Sequence, residues 1–213
     1  LDVACPFVKR IHKIVEELDP ETDILILTGT VGHAEVTGTL GFASCPAFVV
    51  HDAEELKETY IAHEAEWEGK KINLIAQTTY SLEEWEKCVT SIKFLCTNYS
   101  IFGTICKATE ERQHEAEVLS KQVNRMIVVG GRHSSNTVKL YDVCRKNCET
   151  MLVQDASEFD PAFLEGADTI GVTAGASTPS ATIKEVLESM SEEVKTMTEE
   201  NEDFEAMLEE SLS

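Results

Sequence analysis

The chain is 213 residues long and strongly acidic: 39 Asp and Glu against 18 Lys and Arg leave a formal charge of -21, with 42% hydrophobic residues. Such a length and apolar content support one large or two modest α/β domains with a real core. The charge argues against nucleic acid, whose phosphates need clustered Lys and Arg. No apolar run reaches membrane-spanning length, so neither a nucleic-acid nor a membrane partner is expected of this segment.

In chain order, Cys5-Pro6 opens a helical pattern through Phe7, Val8, Ile11, Ile14, Val15 and Leu18. Proline suits a first helical turn. That places the Cys5 sulfur at the positive end of a helix dipole, a station that suits a metal-ligating thiolate. A lone cysteine there would read as a small buried apolar residue. The run DILILT predicts a strand, followed by a loop with Gly29, Thr30 and His33. A short strand is expected at Ala47 to Val50, a helix over Asp52 to Tyr60 and a strand at Ile72 to Ala76. Gln77, Thr78 and Thr79 come next. Ser81, with Glu84 three residues on, forms a capping box for a helix to about Leu95. Ile101 to Ile105 predicts a strand leading to Cys106, and Thr109 to Val123 a helix, so Cys106 stands at a helix start as Cys5 does.

Met126 to Val129 suits a buried parallel strand, ending in Gly130-Gly131, where a sharp turn carries no Cβ penalty. Ser134, Ser135 and Asn136 stand where an amphipathic pattern begins, at good N-cap positions. A strand at Thr150 to Gln154, a short helix near Pro161 and a strand before the TAGAST loop follow, with a last helix from about Thr182. From Ser191 the composition turns into an acid-rich tail, readable as a docking helix, a linker or a solvated segment.

Four of these loops share one design: a strand delivers hydroxyls, amides or an imidazole to a helix start. Free N–H groups and the helix dipole make such a place suitable for an anion, and open parallel sheets bind ligands beyond the carboxyl ends of their strands. Any one loop alone is an ordinary cap; four of them, with two cysteines at matching stations, point to a site. The remaining cysteines rank lower. Cys45 precedes a proline in a turn of small residues, and Cys88, Cys96, Cys144 and Cys148 fall within or just after helical patterns. Seven cysteines without a CxxC pair form no disulfide framework or zinc knuckle and suit a reducing intracellular compartment.

The succession DVACPFV, GHAEVTGTLG, QTT, TICKATEERQ, GGRHSSNT and TAGASTP resembles the 4-hydroxy-3-methylbut-2-enyl diphosphate reductase family of the non-mevalonate isoprenoid pathway, from Asp2 to about Val186 and in the family's order. The resemblance implies a cytoplasmic bacterial oxidoreductase with three α/β domains around a [4Fe-4S] cluster. The cluster is held by one cysteine from each domain and fed by a ferredoxin- or flavodoxin-type electron donor. Its open iron takes the allylic hydroxyl of the diphosphate substrate, which leaves as water to give isopentenyl and dimethylallyl diphosphates.

Carried over by position, Cys5 and Cys106 are two of the cluster ligands. Glu35 serves proton delivery, Thr78 meets the substrate hydroxyl, and His33, Ser134, Ser135, Asn136 and Ser177 hold the diphosphate, with Gln77 and Gly32 in support. The expected architecture is α/β: two similar three-layer modules with small, mostly parallel sheets flanked by helices, the second and third domains of the family fold. The middle domain is expected over 1–102, the third over 103–190 and an acidic tail or linker over 191–213. The family's amino-terminal domain, with the third cysteine and two further histidines, is not in this sequence, and neither His12 nor His51 lies in a matching motif. The chain begins with Leu inside a motif, so a longer parent is expected, and the tail resembles the segment that joins some bacterial members to S1-type domains. By itself the chain is expected to hold no stable cluster and show no turnover. The alternative is a non-catalytic phospholigand-binding or scaffolding module, which has no use for Cys5, Cys106 and Glu35 together.

Overall fold

The computed structural model describes residues 5–193; the acidic segment beyond 193 lies outside the described residues. By contacts the chain divides into two compact units, Leu1–Glu111 and Arg112–Ser213. The first holds α1 (Pro6–Glu16), β1 (Asp23–Thr28), α2 (Ala34–Leu40), β2 (Ala47–Val50), α3 (Ala53–His63), β3 (Lys71–Ala76), α4 (Leu82–Leu95) and β4 (Tyr99–Ile101). Its sheet runs β2-β1-β3-β4, every neighbour parallel.

Both faces of this sheet are covered, which explains the unbroken apolar runs. Ile24, Ile26, Ile72 and Leu74 pack with Leu56, Cys88 and Ile92 on the α3 and α4 side. The alternate residues Leu25, Leu27 and Ile75 pack with Ile11, Val15 and Val36 on the α1 and α2 side. This is the period of two that a strand imposes. Each of these fully buried side chains contributes about 1.5–3 kcal/mol relative to exposure, so the strand ends that carry the loops are well anchored.

The helix α5 (Lys107–Ser120) spans the division between the units. The second unit continues with β5 (Arg125–Val129), α6 (Ser135–Cys144), β6 (Glu149–Val153), two single 3-10 turns at Ala156–Glu158 and Pro161–Leu164, β7 (Ile170–Ala174) and a helical stretch over 180–193. Its sheet runs β6-β5-β7, again parallel. Met126 and Val128 pack with Ala116, Leu140 and Cys144, whereas Ile127 and Val129 pack with Val153 and Val186 on the opposite face. The α/β class and the small parallel sheets flanked by helices are as expected.

One strand is displaced. Ile101 to Ile105 was the expected run, whereas β4 is Tyr99–Ile101, paired from Ile72↔Tyr99 to Leu74↔Ile101. The ladder stops because Thr104 takes it over with a side chain: its Oγ1 receives the Ala76 N–H at 2.8 Å and donates to the Ala76 carbonyl at 2.6 Å. Residues 102–106 are thereby released as a loop along the end of β3.

Candidate functional site

In the first unit the loops after β1, β3 and β4 leave neighbouring strand ends on the same edge of the sheet. The first contains Gly32 at φ 80°, a conformation that favours glycine. The chain then enters α2 through His33, which is the N-cap: its Nδ1 accepts the Glu35 N–H at 3.2 Å. An accepting Nδ1 leaves the ring proton of a neutral imidazole on Nε2, so the capping bond selects the tautomer that offers a donor from its other nitrogen.

Glu35, half-buried, reaches across to the β3 loop, where Thr78 donates its N–H to Oε1 at 2.6 Å and its hydroxyl to Oε2 at 2.7 Å. Thr78 is 6% exposed. Its carbonyl receives the Cys106 N–H at 2.9 Å. A continuous chain of hydrogen bonds therefore joins His33, Glu35, Thr78 and Cys106, residues of three separate loops. Cys106 directly precedes α5, and its carbonyl accepts from Glu110 at 3.0 Å.

Cys5 caps α1, with Pro6 in the first helical turn as expected, and its thiol makes no capping bond. It is exposed and Cys106 half-exposed, whereas Cys45, Cys88 and Cys144 are buried. Burial pushes the Cys88 thiol up to about 11 and the Cys144 thiol up to about 12. It also raises Cys45, Cys96 and Cys148. Those five are inert core or rim thiols.

In the second unit, β5 and β7 are paired up to Val129↔Ala174, so the SSN and TAGAST loops also leave adjacent strand ends. Ser134 is the N-cap of α6, its hydroxyl accepting the Thr137 N–H at 3.4 Å. Ser135 is half-buried and Ser177 exposed. Asn136 is 6% exposed, yet neither its amide nitrogen nor its amide oxygen has a protein partner. A buried amide left unpaired is unusual in a native fold.

A family model described as LytB protein matches residues 1–191. The chain belongs to the LytB protein family. Among similar proteins, the 4-hydroxy-3-methylbut-2-enyl diphosphate reductase of Caldanaerobacter subterraneus subsp. tengcongensis is 40% identical over 189 residues, 88% of this chain and 63% of the relative. The reductase of the same name from Clostridium acetobutylicum is 37% identical over 209 residues, 97% of this chain but 32% of the relative. Among solved structures, the E-1-hydroxy-2-methyl-but-2-enyl-4-diphosphate reductase of Plasmodium falciparum superposes with a TM-score of 0.77 at 26% identity, covering 87% of this chain and 57% of that one. This LytB chain thus spans less than two thirds of the length of these relatives.

Two features beside the loops of the second unit are not marked by their sequence context. Thr137 is fully buried with an unpartnered hydroxyl. It sits where a Cβ on Gly175 would come within 2.1 Å of its Oγ1 and one on Gly130 within 2.8 Å. Thr178 completes this seam, its hydroxyl donating to the Val129 carbonyl at 3.0 Å. Paired glycines at two strand ends were the available signal. The second feature is Arg112, whose guanidinium donates to the Ala174 carbonyl at 3.0 Å and secures the end of β7 just before the TAGAST loop. Of the histidines outside the motifs, His12 stacks on Phe42 with ring centroids 4.2 Å apart, and its Nε2 is buried without a partner. Among the described residues no helix is long and apolar enough to cross a membrane.

Proposed function

We propose that this chain supplies two domains of an iron-sulfur reductase that converts 4-hydroxy-3-methylbut-2-enyl diphosphate to isopentenyl and dimethylallyl diphosphates. The net change breaks one C–O bond: the alcohol takes up two electrons and two protons, and its oxygen leaves as water. A [4Fe-4S] cluster would supply Lewis-acidic iron and relay the electrons of a ferredoxin- or flavodoxin-type donor. Cys5 and Cys106 would hold it, with a third cysteine from the amino-terminal domain of the full-length protein.

The two thiols fit such a group in chemistry and station, being accessible and at helix starts. They do not make a complete set: among the described residues no group of three or more Cys, His, Asp or Glu is placed to hold a metal. The chain by itself is therefore proposed to retain no stable cluster and to be inactive. Seven free thiols suit the reducing cytoplasm as the compartment.

The observation that carries the reading is the doubly bonded Glu35–Thr78 pair beside the Cys106 amide. With a proton on Glu35 the side-chain bond reverses, so that Oε2 donates to Thr78 and the threonine hydroxyl passes its own proton to the leaving oxygen. A carboxyl group within 2.7 Å of the hydroxyl it serves meets the geometric demand of general acid catalysis. Within the second unit, Ser134, Ser135, Asn136 and Ser177 would offer donors to the diphosphate, and within the first the Nε2 of His33 would do so. Local donors are required because a net charge of -21 repels the anion at long range.

Iron and sulfide reconstitution of this chain and of the full-length protein, followed by absorption and EPR spectra and turnover assays, tests the proposal. The full-length protein is expected to show the cluster and the activity, and Cys106→Ser to lose both. A cluster and turnover from this chain alone would refute the incomplete donor set. Pyrophosphate binding with no turnover in any form, indifferent to Cys106→Ser, would favour a phospholigand-binding module instead.

A further inference from the structure

Beneath the Glu35–Thr78 contact lies a second tie between the same two loops. Gln77 is 2% exposed, and its side chain bridges the ends of β1 and β3. Its Oε1 accepts the Thr30 N–H at 3.1 Å, and its Nε2 donates to Thr79 Oγ1 at 2.9 Å. A backbone N–H can only donate, so the Thr30 contact fixes which end of the amide is which. The main chain of Gln77 is pinned as well: its N–H donates to the Thr28 carbonyl at 2.8 Å, and its carbonyl accepts from Tyr80 at 3.0 Å. Space for the bridge comes from Gly29, where a Cβ would stand 3.1 Å from Oε1 and 2.9 Å from Val36 Cγ2.

We infer that Gln77 is a positioning residue for the proposed reductase site, a clamp that sets the spacing between the His33–Glu35 segment and Thr78. The inference rests on the proposed function. An amide offers an acceptor at one end and a donor at the other without the desolvation cost of a buried charge. The shorter hydrocarbon of leucine leaves the Thr30 N–H to water, because Thr30 itself is exposed, and the segment leading into His33 and α2 is freed. A carboxylate keeps the Thr30 bond and accepts from the Thr79 hydroxyl, preserving the bridge at the cost of burying a charge.

The test uses the full-length reductase with Gln77→Leu and Gln77→Glu, with amide hydrogen exchange at Thr30 followed alongside kinetics. In Gln77→Leu, exchange at Thr30 is expected to rise at least about tenfold. There kcat should fall about tenfold to a hundredfold, with KM for the diphosphate changed by less than about threefold because the SSN and TAGAST donors are untouched. Gln77→Glu is expected to keep Thr30 protected and to recover most of kcat. Unchanged Thr30 exchange in Gln77→Leu, or wild-type kcat with that protection lost, overturns the inference. If Gln77→Leu does not fold, Gln77→Asn, one methylene too short to reach Thr30, takes its place, and unchanged Thr30 exchange or wild-type kcat with that protection lost overturns the inference. If the wild-type protein binds the diphosphate without reducing it, the functional reading fails while the exchange result still reports on the clamp.

Discussion

Thr78 holds both oxygens of the Glu35 carboxylate, Oε1 through its backbone N–H and Oε2 through its hydroxyl, across 43 positions of sequence. They meet because β1 and β3 are parallel neighbours in register up to Thr28↔Ala76, so the two loops start side by side. Under the proposed reductase function, Glu35→Gln in the full-length protein keeps the shape of this contact but removes the proton proposed to be transferred. It is expected to lower kcat by about 10²–10⁴-fold with little change in melting temperature. Thr78→Ala keeps the backbone bond and loses the hydroxyl, so its kcat should also drop, and Thr78→Ser should restore most of it; steady-state kinetics decide.

His33 has an observed capping role and a proposed binding role, which substitution can separate. Asparagine is a good N-cap and alanine a poor one. His33→Asn should therefore unfold in urea like the wild type, whereas His33→Ala should lose about 1 kcal/mol. Both should bind pyrophosphate more weakly, measured by calorimetric titration of the full-length protein, because both lack the Nε2 donor. Equal pyrophosphate affinity in His33→Asn and wild type would leave His33 a cap alone.

Asn136 is a case where stability and binding should move apart. Its buried amide has no protein partner, and removing an unpaired polar group relieves a desolvation cost. Asn136→Ala is predicted to leave the unfolding free energy unchanged or to raise it by about 1 kcal/mol, while pyrophosphate binding weakens at least tenfold, by roughly the 1.4 kcal/mol of a lost hydrogen bond.

At Gly175 in the glycine seam the crowding falls mainly on the Thr137 hydroxyl. Gly175→Ala places a Cβ 2.1 Å from Thr137 Oγ1, and a β-branched residue within a helix has little rotamer freedom to retreat. The substitution should destabilise the fold by about 1–3 kcal/mol. Thr137→Ala should relieve part of that loss, giving a favourable coupling in a double-mutant cycle read by chemical denaturation.

The buried thiols predict an alkaline limit to stability. Cys88 is pushed up to about 11 and Cys144 up to about 12, both by desolvation. The folded chain keeps these protons where the unfolded chain, near 9, has lost them, so folding is progressively weakened as pH rises. The contribution of these two thiols should be flat below pH 9 and fall between pH 9 and 12, by on the order of 2–4 kcal/mol for each thiol. Cys144→Ala should flatten the upper part of that slope. At pH 8, alkylation followed by mass spectrometry should label the exposed Cys5 before Cys88 or Cys144.

Local chemistry was enough to determine the strands, most helix starts and the residue types gathered in the loops. Apolar runs such as Met126 to Val129 need burial on both faces, and Ser134 or Ser81 before an amphipathic run caps a helix whatever surrounds it. The motifs also carried the family membership that the match over residues 1–191 establishes. Other features depended on the tertiary structure. The end of β4 was set by the Thr104 hydroxyl replacing ladder bonds to Ala76, a contact across 28 residues that no strand propensity encodes. The Glu35–Thr78 pairing, the Gln77 bridge and the unpaired burial of Asn136 were likewise decided by which strands lie side by side. A side chain's hydrogen-bond partner is fixed by neighbours in space, and sheet order brings those neighbours from distant parts of the chain.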